Sequence, residues 1–413
     1  MAATHHTKPG SLGARLILRS LVMHAVAFAY VVPISVTVAQ VGDKPVDFVP
    51  SDAFWLLLPV ALAMRLRLPK TALNVAASFT YFLTIGMLGS IMDGGALGPI
   101  LSALSYMLPA CHIVVGALLW KRVGVELLTY LARAILITVL VLFASDVVYG
   151  MGIRGCGYEG RWGGCFGKWE LYGFPNSAMN FIALMLFLPA CLWSLKTPPL
   201  PQWLMAVTGV AAIIILSLSL SRSAFLVLGM LAIVGFLAFS RLWAFAAVPI
   251  LGIAVTWSID HILAFPIFTG LVLRMRAAIA GGDITTGRVD IWGETLDLIS
   301  MRPFFGYMFQ FFSDFSQYGT PHQQILEVFF KAGLFGAIIY LGPVVIAWSL
   351  AYRMAALLAG RKRKTIRLYL TGFFAACFTS MLVLPILSYA TMANVVFMLV
   401  GAALQARTEE KKQ

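Results

Sequence analysis

The most regular feature of the chain is a series of long apolar runs separated by short polar connections. A helix needs roughly 20 apolar residues to cross the core of a bilayer, and most of these runs approach that length. The alternating pattern typical of a transmembrane β-barrel is absent from the sequence. The runs predict an all-α polytopic membrane protein with about twelve transmembrane helices, near residues 16–39, 50–64, 71–92, 97–119, 123–149, 175–195, 202–220, 224–240, 242–259, 333–352, 368–387 and 390–405.

Two connections are long enough to hold structure of their own, and the alternation of the spans places both on one side of the membrane. The smaller covers 150–174 and is rich in glycine, and the larger covers 260–331. Within the larger loop, 262–280 is typical of a helix lying in the membrane interface, and a second, amphipathic helix is predicted to end at Pro303. We interpret residues 1–413 as a single transmembrane bundle whose larger loop forms a helical cap.

Composition and charge exclude a soluble domain and predict the orientation of the chain. Of the 413 residues, 60% are hydrophobic and 11% are charged, whereas soluble domains contain about 25% charged residues. The net charge of +13 does not indicate nucleic-acid binding, because most lysines and arginines lie in short connections on one side of the bundle. Positive residues accumulate on the cytoplasmic side of membrane proteins. Both termini are therefore predicted to be cytoplasmic, with the long loops in the periplasm of a bacterial inner-membrane protein.

The sequence Thr320-Pro321-His322-Gln323 predicts the start of a helix inside the larger loop. Thr is a favoured N-cap, Pro is favoured at the first helical position, and Gln three residues after the cap completes a capping box. His322 would then lie in the first turn, where the helix dipole disfavours a protonated ring and leaves a neutral imidazole able to accept a proton. The alternative is a histidine that makes only a structural hydrogen bond.

Two arginines are predicted on the periplasmic side, where the positive-inside bias makes arginine uncommon. Arg222 lies in a short connection between two spans, and Arg288 lies in the first turn of the amphipathic cap helix. A guanidinium is well suited to binding phosphate, so both arginines are candidates for holding the phosphate of a lipid-linked substrate. The alternatives are a surface arginine at position 222 and, for Arg288, an ion pair with Asp290.

Other charged and sulfur-containing residues have simpler interpretations. Arg133 is predicted near the middle of the membrane, either paired with a carboxylate or facing a substrate. Glu327 and Lys331 have the spacing of an ordinary helical salt bridge. Cys156 and Cys165 both fall in the smaller periplasmic loop, where we predict a disulfide between them. No group of residues in the sequence has metal-ligand spacing, so we expect neither a metal site nor a cofactor.

Several short segments on the predicted periplasmic side form a recognisable sequence pattern when they are taken together. They are Gly173-Phe174-Pro175-Asn176, Ser221-Arg222-Ser223, Gly287-Arg288 with Trp292 and the later Pro303…Gly306, and His322-Gln323-Gln324-Ile325-Leu326 followed by Gly333 and Gly336. Together they resemble the superfamily of O-antigen ligases and O-antigen polymerases, which are glycosyltransferases of the bacterial envelope. The likeness covers about half of the chain. It departs from the family pattern at Gln323, where the family usually has Asn after the histidine.

The resemblance implies transfer of a glycan from undecaprenyl pyrophosphate on the periplasmic side, without a metal or a nucleotide sugar. A ligase passes the glycan to lipid A–core during lipopolysaccharide assembly, and we favour this reading slightly. A polymerase instead joins lipid-linked repeat units of O-antigen or exopolysaccharide. Carried over to this chain, Arg222 and Arg288 would bind the pyrophosphate and stabilise its charge as it leaves, and His322 would help to activate the acceptor hydroxyl.

A polytopic transporter or lipid flippase is the alternative from a different functional class. Transporters commonly contain internal repeats and broken helices near the middle of the membrane, and the sequence shows neither clearly. A flippase would not need a long cap that carries arginine and histidine. A scaffold without catalytic activity is also compatible with the sequence, but glycan transfer accounts for more of its features.

Overall fold

A computed structural model describes residues 9–33, 36–41, 44–56, 70–148, 165–166, 169–170, 174–219, 221–238, 288–385, 387 and 390–411. These residues are mainly helical, as the apolar runs predict. The helices are α1 (Pro9–Val31), α2 (Lys70–Ser78), α3 (Thr80–Met92), α4 (Gly98–Met107), α5 (Pro109–Val123), α6 (Glu126–Val148), α7 (Phe174–Met185), α8 (Phe187–Ser194), α9 (Gln202–Leu218), α10 (Arg222–Ala238), α11 (Arg288–Met301), α12 (Gln324–Ala356), α13 (Gly360–Val383) and α14 (Ala390–Glu410). The short strands are β1 (Val36–Val41), β2 (Lys44–Phe48), β3 (Cys165–Phe166) and β4 (Trp169–Glu170).

The described part of the chain contains seven helical segments that are long and apolar enough to cross a membrane. Shorter apolar helices cover Ile17–Val31, Gln202–Ser217 and Ser223–Ala238. Each of these segments falls on a predicted span, which confirms a polytopic membrane protein. The predicted span at 242–259 and the interface helix at 262–280 lie outside the described residues. The predicted span at 50–64 begins with a 3-10 helix, Pro50–Leu56, and its remainder also lies outside the described residues.

The first predicted span, 16–39, is wrong at its C-terminal end. Helix α1 ends at Val31, because Pro33 lacks an N–H group and disfavours the helical conformation of the residue before it. The chain then forms β1, whose β-branched valines and threonine fit a strand. Strand β1 pairs antiparallel with β2, and β3 pairs antiparallel with β4. The bundle therefore contains two short hairpins that the apolar runs did not predict.

Helices α5 and α14 pack so closely that their backbones touch. A Cβ atom at Gly116 would overlap the carbonyl oxygen of Met398, and one at Gly401 would overlap the carbonyl oxygen of Ile113. Small residues allow membrane helices to approach this closely, because packing replaces the hydrophobic driving force that lipid cannot supply. This helix pair forms a rigid part of the core.

Arginines bind backbone carbonyls at the end of the bundle where α5 ends and α9 begins. Arg19 donates from Nη2 to the carbonyl of Arg122 at 2.8 Å, and Arg133 donates from Nε to the carbonyl of Pro199 at 2.8 Å. The acceptor that the structure gives for Arg133 is thus a carbonyl of the connection between α8 and α9, which neither of the two predicted alternatives included. We call the opposite end, where α12 begins and α13 ends, the cap end.

Candidate active site

Helix α12 begins at Gln324, three residues later than the capping box predicts. Gln323 is itself the N-cap, and its side-chain oxygen accepts a hydrogen bond from the backbone N–H of Leu326 at 2.8 Å. One amide side chain therefore satisfies an N–H group that the first helical turn leaves unpaired. The predicted role of Thr320 as N-cap is wrong, and His322 precedes the cap instead of lying in the first turn.

His322 is half-buried and adopts a left-handed backbone conformation, with φ of 53°. This region is unfavourable for residues that carry a Cβ atom, so contacts around the residue must hold it there. Burial lowers the pKa of His322, the positive charge of Arg288 lowers it further, and Glu327 raises it. The neutral ring that we expected therefore results from burial and a neighbouring cation.

Arg288 is the first residue of α11, as the amphipathic pattern predicts. Its Nη1 donates to the carbonyl of Val383 at 2.7 Å, and Val383 is the last residue of α13. The last carbonyls of a helix have no partner within the helix and lie at the negative end of its dipole. The end of α13 therefore offsets the unfavourable position of Arg288 at the start of α11. The sequence around Arg288 carries no signal for this contact, because the two residues are 95 positions apart.

Arg222 is the first residue of α10. Helix α10 packs against α13, where a Cβ atom at Gly372 would meet the side chain of Val234. The alternation of the spans makes the two helices antiparallel, and each helical residue rises about 1.5 Å. Arg222 lies twelve residues before Val234 in α10, and the end of α13 lies eleven residues after Gly372. We therefore expect the backbone of Arg222 at the same height in the bundle as the end of α13 that binds Arg288. All three predicted site residues are then at the cap end.

Backbone hydrogen bonds connect the turn Pro303–Gly306 of the cap to α12. The N–H of Leu334 donates to the carbonyl of Pro303 at 2.8 Å, and the N–H of Tyr307 donates to the carbonyl of Phe330 at 2.6 Å. Gly333 interrupts the regular helix with φ of 65°, and a Cβ atom there would overlap the backbone of the turn. Two of the signature segments therefore pack directly against each other. This contact fixes the position of the chain that leads to His322.

Glu327 and Lys331 form the predicted salt bridge, with 2.6 Å between Nζ and Oε1. The sequence did not indicate that Glu327 is buried or that its charge acts on His322. The i, i+4 spacing alone is typical of an exposed surface pair. A signal for burial exists only in the neighbouring apolar residues Leu326 and Val328, which are buried as well.

The remaining site predictions concern the smaller loop and metals. Cys156 lies outside the described residues, so its disulfide with Cys165 stays a prediction. Among the described residues, no group of three or more histidine, cysteine, aspartate or glutamate side chains has the arrangement of a metal site. The charged groups that act on the imidazole of His322 are the guanidinium of Arg288 and the carboxylate of Glu327.

Comparison with protein families gives one finding for this region. A family model described as O-antigen ligase matches residues 205–341. The match, about a third of the chain, covers α10, α11 and the first half of α12, and so includes Arg222, Arg288 and His322. A search of curated proteins gives no match. The match at residues 205–341 supports the predicted resemblance to the superfamily of O-antigen ligases and O-antigen polymerases.

Proposed function

We propose that the protein is an O-antigen ligase that transfers a glycan from undecaprenyl pyrophosphate to lipid A–core. In this proposal residues 1–413 form one bundle in the bacterial inner membrane, with both termini cytoplasmic and the reaction on the periplasmic side. The observation that carries it is the match of the O-antigen ligase family to the segment that contains Arg222, Arg288 and His322.

The proposed reaction is a displacement at the anomeric carbon of the donor. The acceptor hydroxyl oxygen forms a bond to this carbon while the bond from the carbon to the pyrophosphate oxygen breaks, and the electron pair leaves with the pyrophosphate. His322 takes the proton of the hydroxyl. A base must be unprotonated before the reaction, and the lowered pKa of His322 keeps the ring neutral at neutral pH.

The arginines act on the leaving group. Negative charge on the pyrophosphate grows as the bond breaks, and fixed cations stabilise the transition state more than the ground state. The hydrogen bond to Val383 orients Arg288 without neutralising its charge. A guanidinium carries five N–H donors, so an arginine anchored in this way can also bind a phosphate. Arg222 provides the second cation, from the start of α10.

The test is a transfer assay with purified protein in nanodiscs, a lipid-linked glycan and lipid A–core. We expect His322→Ala to lower transfer by about 10²- to 10⁴-fold while donor binding remains. Arg288→Lys should also lower transfer sharply, because lysine keeps the charge but loses the planar fork that matches a phosphate. His24→Ala is the control, since His24 binds the carbonyl of Ser20 in α1. Near-normal transfer by folded His322→Ala would overturn the proposal.

The same preparation distinguishes a ligase from a polymerase. Lipid A–core and a lipid-linked repeat unit are offered as acceptors in separate reactions. Glycan on lipid A–core identifies a ligase, whereas longer glycans on the polyprenyl carrier identify a polymerase and would replace our proposal. Transfer should continue in the presence of EDTA, because the proposed reaction uses no metal.

A further inference from the structure

The chain directly after α11 exposes large apolar side chains. Met301 is 71% exposed, Phe304 55% and Phe305 47%, and we call these three residues the apolar turn. The next two residues, Gly306 and Tyr307, are buried. Backbone hydrogen bonds join this part of the chain to α12, so the apolar side chains belong to a folded segment. A contiguous apolar patch on a folded surface marks a place where a partner binds.

The apolar turn is continuous with the exposed side of α12. The ring centroids of Phe304 and Phe305 lie 6.0 Å and 5.5 Å from that of Phe335, which is itself 44% exposed. Further exposed apolar residues of this helix are Ile338, Val345 and Ile346. Helix α12 is among the segments long and apolar enough to cross a membrane, so lipid covers its exposed apolar residues. The apolar turn extends this lipid-facing surface.

The length of α12 indicates the depth of the contact. Arg353 lies in the last turn of the helix, where a charged side chain belongs near the headgroups of the opposite leaflet. Eighteen residues separate Phe335 from Arg353, which corresponds to a rise of about 27 Å. The hydrocarbon core of a bilayer is roughly 30 Å thick. Phe335, with the rings of Phe304 and Phe305 beside it, is therefore expected where the acyl chains meet the headgroups.

Arg302 is the one charged residue in the sequence from Met301 to Phe305, and it is exposed. Its guanidinium carbon lies over the ring of Tyr307, 4.7 Å from the ring centroid. No carboxylate of the described residues forms a salt bridge with it. An arginine at this depth keeps its charge among the lipid phosphates while its apolar stem lies along the acyl chains. The charge of Arg302 is therefore compatible with a turn at the membrane boundary.

We propose that the apolar turn inserts into the lipid leaflet at the cap end and anchors the cap to the membrane. The partner is a phospholipid bilayer, whose acyl chains contact Met301, Phe304 and Phe305, with Arg302 at the height of the phosphates. The anchored turn begins the segment that leads to His322, so insertion fixes this segment relative to the membrane surface. The inference does not depend on the proposed function, because the lipid-facing surface of α12 is the same for any reaction.

The first experiment measures the depth of the turn in a bilayer. A nitroxide is attached to p-acetylphenylalanine at position 304, 317 or 338 of the protein in nanodiscs, so that the native cysteines stay unlabelled. Oxygen concentrates among acyl chains and a nickel chelate in water, and both shorten the relaxation time of the nitroxide. Ile338 on α12 is the lipid control, and Gln317, which is exposed in the cap, is the water control.

We expect the label at Phe304 to resemble the label at Ile338, with accessibility to oxygen and severalfold lower accessibility to nickel than at Gln317. Nickel accessibility as high as at Gln317 would show that water surrounds the turn and would overturn the inference. Low accessibility to both reagents would show that protein covers the turn instead of lipid, and would overturn it as well.

Photo-crosslinking then identifies the partner by its mass. p-Benzoylphenylalanine replaces Phe305, or Gln317 as the control, and the protein is irradiated in nanodiscs of phosphatidylethanolamine and phosphatidylglycerol. We expect adducts with the mass of one phospholipid at position 305 and none at position 317. A crosslink to a second copy of the chain, or to another segment of the same chain, in place of lipid would contradict the inference. Neither experiment measures glycan transfer, so failure of the anchor and failure of the proposed function are seen separately.

Discussion

Helices α5 and α14 are held by backbone contact through glycines, whereas the segment 302–323 is held by hydrogen bonds between an irregular backbone and α12. In the helix pair, carbonyl oxygens occupy the space where side chains at Gly116 and Gly401 would begin. In the segment, Met308, Phe309 and His322 have positive φ values of 51°, 66° and 53° although none is glycine. Glycine therefore occurs where the two helix backbones touch, whereas larger residues adopt strained backbone conformations beside the candidate site.

The contrast indicates a division of roles between the two regions. Strained backbone conformations cost of order 1–3 kcal/mol each and persist only where the surrounding structure determines them. The turn Pro303–Gly306 provides such support through its hydrogen bonds to α12. A rigid bundle can therefore hold a strained segment in which His322 has a fixed position. Substitutions in the two regions should accordingly change different properties of the protein.

The largest effect is expected from Gly401→Leu in the helix pair. The new side chain would overlap the carbonyl of Ile113, and two helix backbones cannot move apart without loss of packing along their whole contact. We expect a loss of more than about 3 kcal/mol, seen as failure to recover monodisperse protein in detergent. Gly229→Leu is the matched control, because a Cβ atom at Gly229 has open space. Equal recovery of the two variants would contradict the role of backbone contact.

A different result is expected from His322→Gly in the strained segment. Glycine adopts a positive φ without steric conflict, so relief of strain and loss of the ring's contacts should leave the unfolding free energy within about 1 kcal/mol of wild type. Transfer should fall by about 10²- to 10⁴-fold. Thermal unfolding in detergent and the transfer assay give the two quantities. A strongly destabilised His322→Gly would show that the residue supports the fold as well.

The sequence predicted the parts of the structure that depend on local patterns. Apolar runs located the spans, and the amphipathic pattern placed Arg288 at the start of α11. The start of α12 was wrong because Gln323, which we expected at the third helical position of a capping box, is itself the N-cap in the folded chain. The end of α1 was wrong because the apolar run continues past Pro33, although the proline stops the helix.

Contacts between distant segments were beyond the reach of these patterns. Arg133 binds the carbonyl of Pro199, and Arg288 binds the carbonyl of Val383. Any residue presents a backbone carbonyl, so no side-chain type marks the acceptor in advance. The effect of the Glu327 charge on the pKa of His322 could not be predicted for a related reason. Helical spacing describes neighbours within α12 but not a residue before its N-cap. The candidate site residues came from local patterns and their expected roles from resemblance, whereas their surroundings required the fold.

The smallest change in the unfolding free energy is expected from substitution of two buried asparagines. They test whether polar side chains inside the bundle also differ in how well their surroundings support them. Asn394 donates to Ser51 Oγ at 2.9 Å and to Asp52 Oδ1 at 2.7 Å. Asn180 is also buried, but neither atom of its amide has a hydrogen-bond partner among the described residues. An unsatisfied buried polar group costs roughly 1–3 kcal/mol.

Asn180→Leu should therefore raise the unfolding temperature, because leucine branches at the same carbon and brings no polar atom into the core. Part of the gain is offset by the larger volume of leucine, so the net stabilisation should be about 1 kcal/mol. Asn394→Leu should have the opposite sign, because Ser51 Oγ and Asp52 Oδ1 lose the donor that Asn394 provides, although Asp52 Oδ2 still accepts from the N–H of Val49. Thermal unfolding of both variants in one detergent measures the difference, and transfer activity of Asn180→Leu should stay at the wild-type level. If Asn180→Leu destabilises the protein as much as Asn394→Leu, then the Asn180 amide stabilises the folded bundle although it has no hydrogen-bond partner among the described residues. Hydrogen-bond partners would then not predict which buried polar residues can be replaced.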